Sequence, residues 1–296
     1  MDGPLERLRA GEVLCGDGGW GTLLMERGLE PGESPESVNL EEPESLAEIA
    51  RLYVDAGADL ITTNTFGGSS LKLAAYSLDD QTEEINRAAV EAVKHVVNGT
   101  AYVSASIGPT GKLLKPFGDT EPERMADSFA RQIGAVIEAG PDLVCVETMI
   151  DLTEALLAVS AARSISAEIP IIATMTFDKT PRGFFTTMGV SIEQACEVLA
   201  EAGADVLGSN CGNGIDTLVE IAAEFMEHSK LPVCIQPNAG VPENVGGEIV
   251  FPETPEFMAE RVPRLIDLGV AIIGGCCGTG PDHIRALRAA IHAYRA

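Results

Sequence analysis

The chain has 296 residues, 45% of them hydrophobic, with 31 glycines and few aromatics, enough apolar side chain to fill one large core. Its 20 basic residues face 45 acidic ones, a formal charge of −25, and such a surface argues against partners that are themselves polyanionic, nucleic acid or a membrane surface. No apolar run approaches the roughly 20 residues of a bilayer span, and the opening MDGPLERLRAGEVL lacks a signal-peptide core, so a cytoplasmic location is expected.

Taken in order, eight apolar runs read as strands: EVLCGDGG (12–19), DAGADLITTN (55–64), AYVSASIGP (101–109), EAGPDLVCVE (138–147), PIIATMTF (170–177), EAGADVLGSN (201–210), LPVCIQPNAG (231–240) and DLGVAIIGGC (267–276). Four of them share one pattern: a helix end, a glycine C-cap, a β-branched run and a polar finish. Amphipathic stretches such as PESLAEIARLYVDAG (43–57) and SIEQACEVLAEAG (191–203) lie between the runs. Self-similar alternation of this kind predicts an α/β fold, a (β/α)8 TIM barrel, forming a single domain over 1–296. A doubly wound sheet is the competitor, but GDGGWG (16–21) lacks the spacing of a dinucleotide loop. The segment NAGVPENVGGEIVFPETP (238–255) reads as one long loop after the seventh strand.

Barrel enzymes place their sites at the C-terminal ends of the strands. That rule selects Asp17 and Gly18, Thr63 to Thr65, Gly108 and Pro109, Glu147 and Thr148, Thr176 and Asp178, Asn210 and Cys211, Pro237 and Asn238, and Cys276 with Cys277. Of the seven cysteines, Cys15, Cys145 and Cys234 fall inside strands and read as small core residues, and Cys196 falls in a helix. Cys211, Cys276 and Cys277 fall at the ends of the sixth and eighth strands. Three thiolates with one open position is the ligand arithmetic of a catalytic zinc site. Adjacent residues on a strand point to opposite faces, so Cys276 and Cys277 serve one metal only if the backbone bends. Glycines 274, 275, 278 and 280 permit such a bend. Inert thiols, a vicinal disulfide, or a phosphate site at the helix that GTGPDHI opens remain alternatives on spacing alone. His283 reads as a first-turn helix residue, and Trp20 as wall packing.

The motifs GDGGWGT (16–22), TNTFGGS (63–69), SIGPTGK (106–112), VET (146–148), MTFD (175–178), NC (210–211), PNAG (237–240) and GGCCGTGPDHI (274–284) together resemble the homocysteine S-methyltransferase family. The wording is closest to the homocysteine module of cobalamin-dependent methionine synthase. The resemblance implies Zn2+ on Cys211, Cys276 and Cys277, with the homocysteine sulfur in the fourth position as nucleophile and no catalytic side chain. It also implies that Glu147 binds the substrate ammonium, with Asp17 and backbone near Gly18 positioning the substrate. Asn238 stands where the family has a polar residue near the metal. A free thiol with pKa ~8.5 is mostly protonated at neutral pH, and zinc removes that proton. The implied reaction is methyl transfer giving methionine. No DxHxxG motif occurs in the chain, so the expected donor is a separate methylcorrinoid protein. A small donor (betaine, S-methylmethionine or another sulfonium), a different thiol acceptor, and a thiol-binding subunit without turnover of its own are the alternatives. NCGNGI (210–215) departs from the family, with Gly-Asn where relatives more often carry a small residue and Gly-Pro.

Overall fold

A computed structural model describes residues 2–30 and 32–295. Eight parallel strands form one sheet: β1 (Leu14–Cys15), β2 (Leu60–Thr62), β3 (Tyr102–Ile107), β4 (Leu143–Met149), β5 (Ile171–Met175), β6 (Val206–Asn210), β7 (Val233–Gln236) and β8 (Ile272–Ile273). Each is followed by a principal helix: α1 (Pro43–Ala56), α2 (Thr82–Val97), α3 (Pro122–Ala139), α4 (Leu152–Ile165), α5 (Ile192–Glu201), α6 (Ile215–His228), α7 (Val262–Leu268) and α8 (Pro281–Arg295). β1 pairs with β8, and a single parallel bridge from Gly16 to Leu60 closes the sheet against β2. The (β/α)8 barrel read from the alternation is the fold observed. Among the described residues no helix is long and apolar enough to cross a membrane.

Local chemistry explains the repeat. The shared Gly-Ala/Pro-Asp places Gly57, Gly140 and Gly203 in the left-handed region, with φ of 93°, 76° and 101°, where a side chain would be strained. Two residues later the aspartate reaches sideways to the neighbouring strand. Asp59 accepts Cys15 N–H (2.9 Å), Asp142 accepts Val103 N–H (2.7 Å) and Asp205 accepts Ile171 N–H (2.9 Å). Carboxylates thus stand in for missing ladder partners at the barrel floor. The fourth, looser copy has Ala271 at this place; it keeps the backbone bond to Val233 (2.9 Å) without the carboxylate. Helices start where capping is encoded: Ser191 and Gln194 form a capping box on α5, and Asp151 caps α4.

Alternation along the strands sorts the core into two clusters. Leu14, Leu60, Tyr102, Leu143, Ile172, Val206 and Ile272 point inward with Cys145 and Cys234, and Leu5 and Leu8 of the N-terminal helix pack on this inner cluster. The opposite strand faces pack against the helices, with Cys15 and Cys196 among them; all four of these cysteines are buried, as their sequence positions predict. Above the apolar layer the inward positions of β6 and of the β1 and β8 ends become glycine. At Gly208 a Cβ would lie 1.8 Å from the Cys234 carbonyl oxygen, a backbone atom that has no room to yield. Gly208→Ala is expected to destabilise the barrel by about 3 kcal/mol or more, read as a lower urea midpoint with an unchanged slope.

The structure corrects the strand lengths. The ordered ladder of β1 spans only Leu14–Cys15 and that of β8 only Ile272–Ile273; the glycines after them keep single bonds to their neighbours, Gly16 N–H to the Ile273 carbonyl and Gly274 N–H to the Ile235 carbonyl. The long loop after β7 carries an antiparallel hairpin, Glu243–Val245 with Glu248–Val250, and a second hairpin, Asp178–Thr180 with Gly183–Phe185, follows β5.

Candidate metal centre

Cys211, Cys276 and Cys277 converge at the barrel mouth, their sulfurs all within 4.8 Å of one another. Cys211 lies one residue beyond β6 with φ of 63°, an uncommon conformation for a non-glycine residue. Its N–H is held by the Gln236 carbonyl (3.1 Å), and the Cys276 N–H by the Pro237 carbonyl (2.8 Å). The end of β7 therefore clamps both sides of the cluster. The bend that the paired cysteines need is present: the chain leaves β8 at Ile273, and Gly278 turns it with φ of 77°. Gly275 N–H bonds the Asp17 carbonyl (2.8 Å), and Thr279 Oγ1 donates to the Cys276 carbonyl (2.7 Å).

The donor set fits a zinc ion. Tetrahedral Zn–S bonds of about 2.3 Å put sulfurs ~3.8 Å apart, and Cys211 and Cys277 Sγ lie 3.9 Å apart. Soft thiolates select such a metal over Mg2+. The three thiols cannot ionise independently. Hydrogen bonds donated by Cys276 and Cys277 pull Cys211 down to about 3; in return those bonds hold Cys276 well above the ordinary thiol value and push Cys277 to about 11. Asn238 supports the cluster, its Oδ1 accepting Cys277 N–H (3.1 Å) and its side chain helping to lower the Cys211 thiol.

Below the strand ends the barrel lumen holds a gap of about 10 Å3, room for one water, where Asp17, Thr62, Ser104, Glu147 and Gln236 meet the apolar side chains of Leu60, Ile172 and Ile272. Asp17 is 2% exposed. Its Oδ2 accepts Thr62 N–H (2.7 Å) and Trp20 Nε1–H (2.9 Å), and its Oδ1 accepts Thr62 Oγ1–H (2.7 Å). The carboxylate therefore extends the β1–β2 ladder, and Trp20 both packs the wall and holds Asp17. Glu147 sits where β4 and β5 slip register between Val146 and Met149, a bulge of the kind that re-aims a side chain. Ser106 Oγ donates to Glu147, and burial with little polar compensation pushes its carboxyl to about 7; burial likewise raises Asp17 to about 6. Among the described residues no cation bonds either group. Gly18, next to Asp17, packs against Thr279 and the Tyr53 hydroxyl, and its N–H has no hydrogen-bond partner among the described residues.

Not every strand-end residue joins this site. Thr63 and Thr65 bond each other (2.6 Å), and Asn64 is occupied by Pro35 and Asn39, which fixes the loop after β2. Gly108 underlies Phe66. Asp178 enters the hairpin after β5 and accepts Asn213 Nδ2–H (3.3 Å). His283 caps its own helix, accepting Gly280 N–H at Nδ1 (3.2 Å), with Nε2 3.0 Å from the Glu253 carbonyl oxygen. Two contributors went unassigned in the sequence. Gln236 was hidden inside a strand motif. Asn210 showed only as a polar strand end, although its side chain touches β4, β5 and Cys276.

Residues 14–291 match the profile of the family described as homocysteine S-methyltransferase. The methionine synthase of Mycobacterium leprae is 32% identical over 301 aligned positions, covering 95% of this chain and 24% of that protein. That of Mycobacterium tuberculosis is 31% identical, covering 94% and 24%. The chain thus spans about a quarter of the length of these relatives. Among solved structures, the metallated form of the Escherichia coli homocysteine methyltransferase MmuM superposes with a TM-score of 0.81 at 23% identity, covering 97% of this chain and 99% of that one; this likeness shows the shared barrel. With the profile matched from β1 to α8, the chain belongs to the homocysteine S-methyltransferase family.

Proposed function

We propose that this barrel transfers a methyl group to the thiol of L-homocysteine, giving methionine, with Zn2+ held by Cys211, Cys276 and Cys277. The observation that carries this reading is three convergent sulfurs joined through Asn210 to Glu147, a half-buried carboxylate that no cation bonds among the described residues. A zinc ion held there would keep an acceptor thiol ionised and electron-rich at neutral pH.

The chain's own residues do the rest. Glu147, which no cation bonds among the described residues, attracts the substrate ammonium, and that partner favours the ionised form of its carboxyl. Asp17 adds negative potential while its bonds to Thr62 and Trp20 keep it from moving. The Gly18 N–H is available to the substrate carboxylate. The apolar inner cluster beneath excludes water. Cys277 is the exposed member of the trio, so the methyl group arrives from the open mouth. We assign the donor to a methylcorrinoid carried on a protein module outside the barrel, supported by the likeness to two methionine synthases.

Purified protein supplied with homocysteine and, separately, a methylcorrinoid protein, betaine and S-methylmethionine tests this directly. Methionine from the corrinoid arm is the expected product. Methionine from a small donor alone would move the assignment to that donor, and none from any arm would sink the methyltransferase reading.

A further inference from the structure

The Asn210 side chain occupies the space between the two halves of the site. Its Oδ1 accepts Thr148 N–H (2.8 Å) and Thr174 Oγ1–H (2.8 Å). Its Nδ2 faces three acceptors: Thr148 Oγ1 at 2.8 Å, Glu147 Oε2 at 3.2 Å and Cys276 Sγ at 3.7 Å. A primary amide carries two N–H bonds, so three acceptors compete for two protons. Asn210 is fully buried, which leaves no water to settle the competition. The side chain is also held in place: it grips Thr148 from both sides, and Thr148 has φ of 59°, a strained conformation for a β-branched residue that surrounding bonds must maintain.

We infer that Asn210 is a positioning residue that relays occupancy of the amino-acid pocket to the Cys276 sulfur. This rests on the reading of Glu147 as the ammonium site and of the cysteines as metal ligands. Above about pH 7 the Glu147 carboxyl is ionised even without a cation and draws on the Asn210 amide, so the test is run at about pH 8. A substrate ammonium on Glu147 satisfies that carboxylate, and the released N–H turns to Cys276. A stronger N–H···S bond withdraws electron density from that sulfur and fixes its orientation, as hydrogen bonds to ligand atoms do in metal sites generally. The pocket therefore signals to the metal ligands that an acceptor is present, through one side chain and without backbone movement. Thr148 serves as the fixed point, since its hydroxyl keeps one amide proton throughout.

The test uses Co2+ in place of zinc and L-norvaline, an amino acid with an ammonium group and no sulfur. Saturation of the Co2+-loaded chain with norvaline, verified by calorimetry, is expected to move the sulfur-to-cobalt charge-transfer band to higher energy. Asn210→Asp keeps the acceptor for Thr148 and Thr174 but has no N–H, and should bind norvaline with no band shift. Thr174→Val leaves both N–H bonds and should retain the shift. An unmoved band in the parent protein, or a shift that persists in Asn210→Asp, overturns the relay while leaving the metal and ammonium sites intact. Absence of any thiolate charge-transfer band, or of norvaline binding, would instead overturn the parent reading and the relay with it.

Discussion

Cys276→Ala is expected to lose zinc and methyl transfer together, whereas Cys196→Ala should lose neither. Structural zinc in a four-ligand site is bound by about 10–16 kcal/mol, so one thiolate accounts for ~3 kcal/mol, a loss in metal affinity on the order of 10²-fold or more. The backbone carbonyl of Cys276, which accepts from Thr279, and its N–H, held by the Pro237 carbonyl, are kept in the alanine variant, so the loss reads the sulfur alone. Cys196 is buried on α5 among apolar neighbours, and burial raises its thiol to about 12, which makes it a poor ligand and a poor nucleophile. Metal content by elemental analysis on the purified variants, alongside homocysteine turnover, reads both outcomes. Full zinc occupancy in Cys276→Ala would remove the three-thiolate assignment.

Glu147→Gln should produce the other large change, with opposite signs in binding and stability. Removing the carboxylate leaves the substrate ammonium unpaired in a buried pocket, a penalty of roughly 3–5 kcal/mol. KM for homocysteine should rise on the order of 10²–10³-fold, with a much smaller change in kcat. In the free protein the direction reverses. The folded carboxyl titrates at about 7 against an ordinary value of 4.5, so the protonated form favours the folded state. Its stabilisation is fully present below about pH 4.5 and is lost as pH rises through about 7. The glutamine variant lacks that loss and should be more stable than the parent at pH 8 by up to about 3 kcal/mol, seen as a melting temperature several degrees higher. The same titration predicts that kcat/KM of the parent falls as pH drops below about 7. A KM within threefold of the parent's would exclude Glu147 as the ammonium site.

These features differ in how openly the sequence carried them. The barrel was legible because its signals are local: a glycine cap, an aspartate two residues on and a β-branched run recur three times, each with the same physical job. The convergence of Cys211, Cys276 and Cys277 was legible because strand ends of a parallel barrel share one face. Asn210 was not, since an amide reveals its role only through partners on β4, β5 and the β8 end, up to 66 residues away in sequence. The hairpins after β5 and β7 were missed for another reason. Their short strands form two-stranded ribbons apart from the barrel sheet, and glycines such as Gly246 and Gly247, both at positive φ, read equally well as loop. Within GGCCGTG the sequence allowed a bend without specifying it; the Pro237 and Asn238 contacts that set its direction come from β7.

Those β7 contacts also bear on the order in which the molecule assembles. The ligands come from the ends of β6 and β8, and the strand between them fixes their spacing. A zinc finger gathers its ligands within a short segment, and its metal can therefore organise the chain. Here the ligand set comes into being only after three successive strands have docked in the C-terminal half. A metal held there acts as a clasp on a finished barrel rather than a template for it. Its occupancy becomes a reporter of global closure, and added zinc raises apparent stability by mass action on the folded state alone.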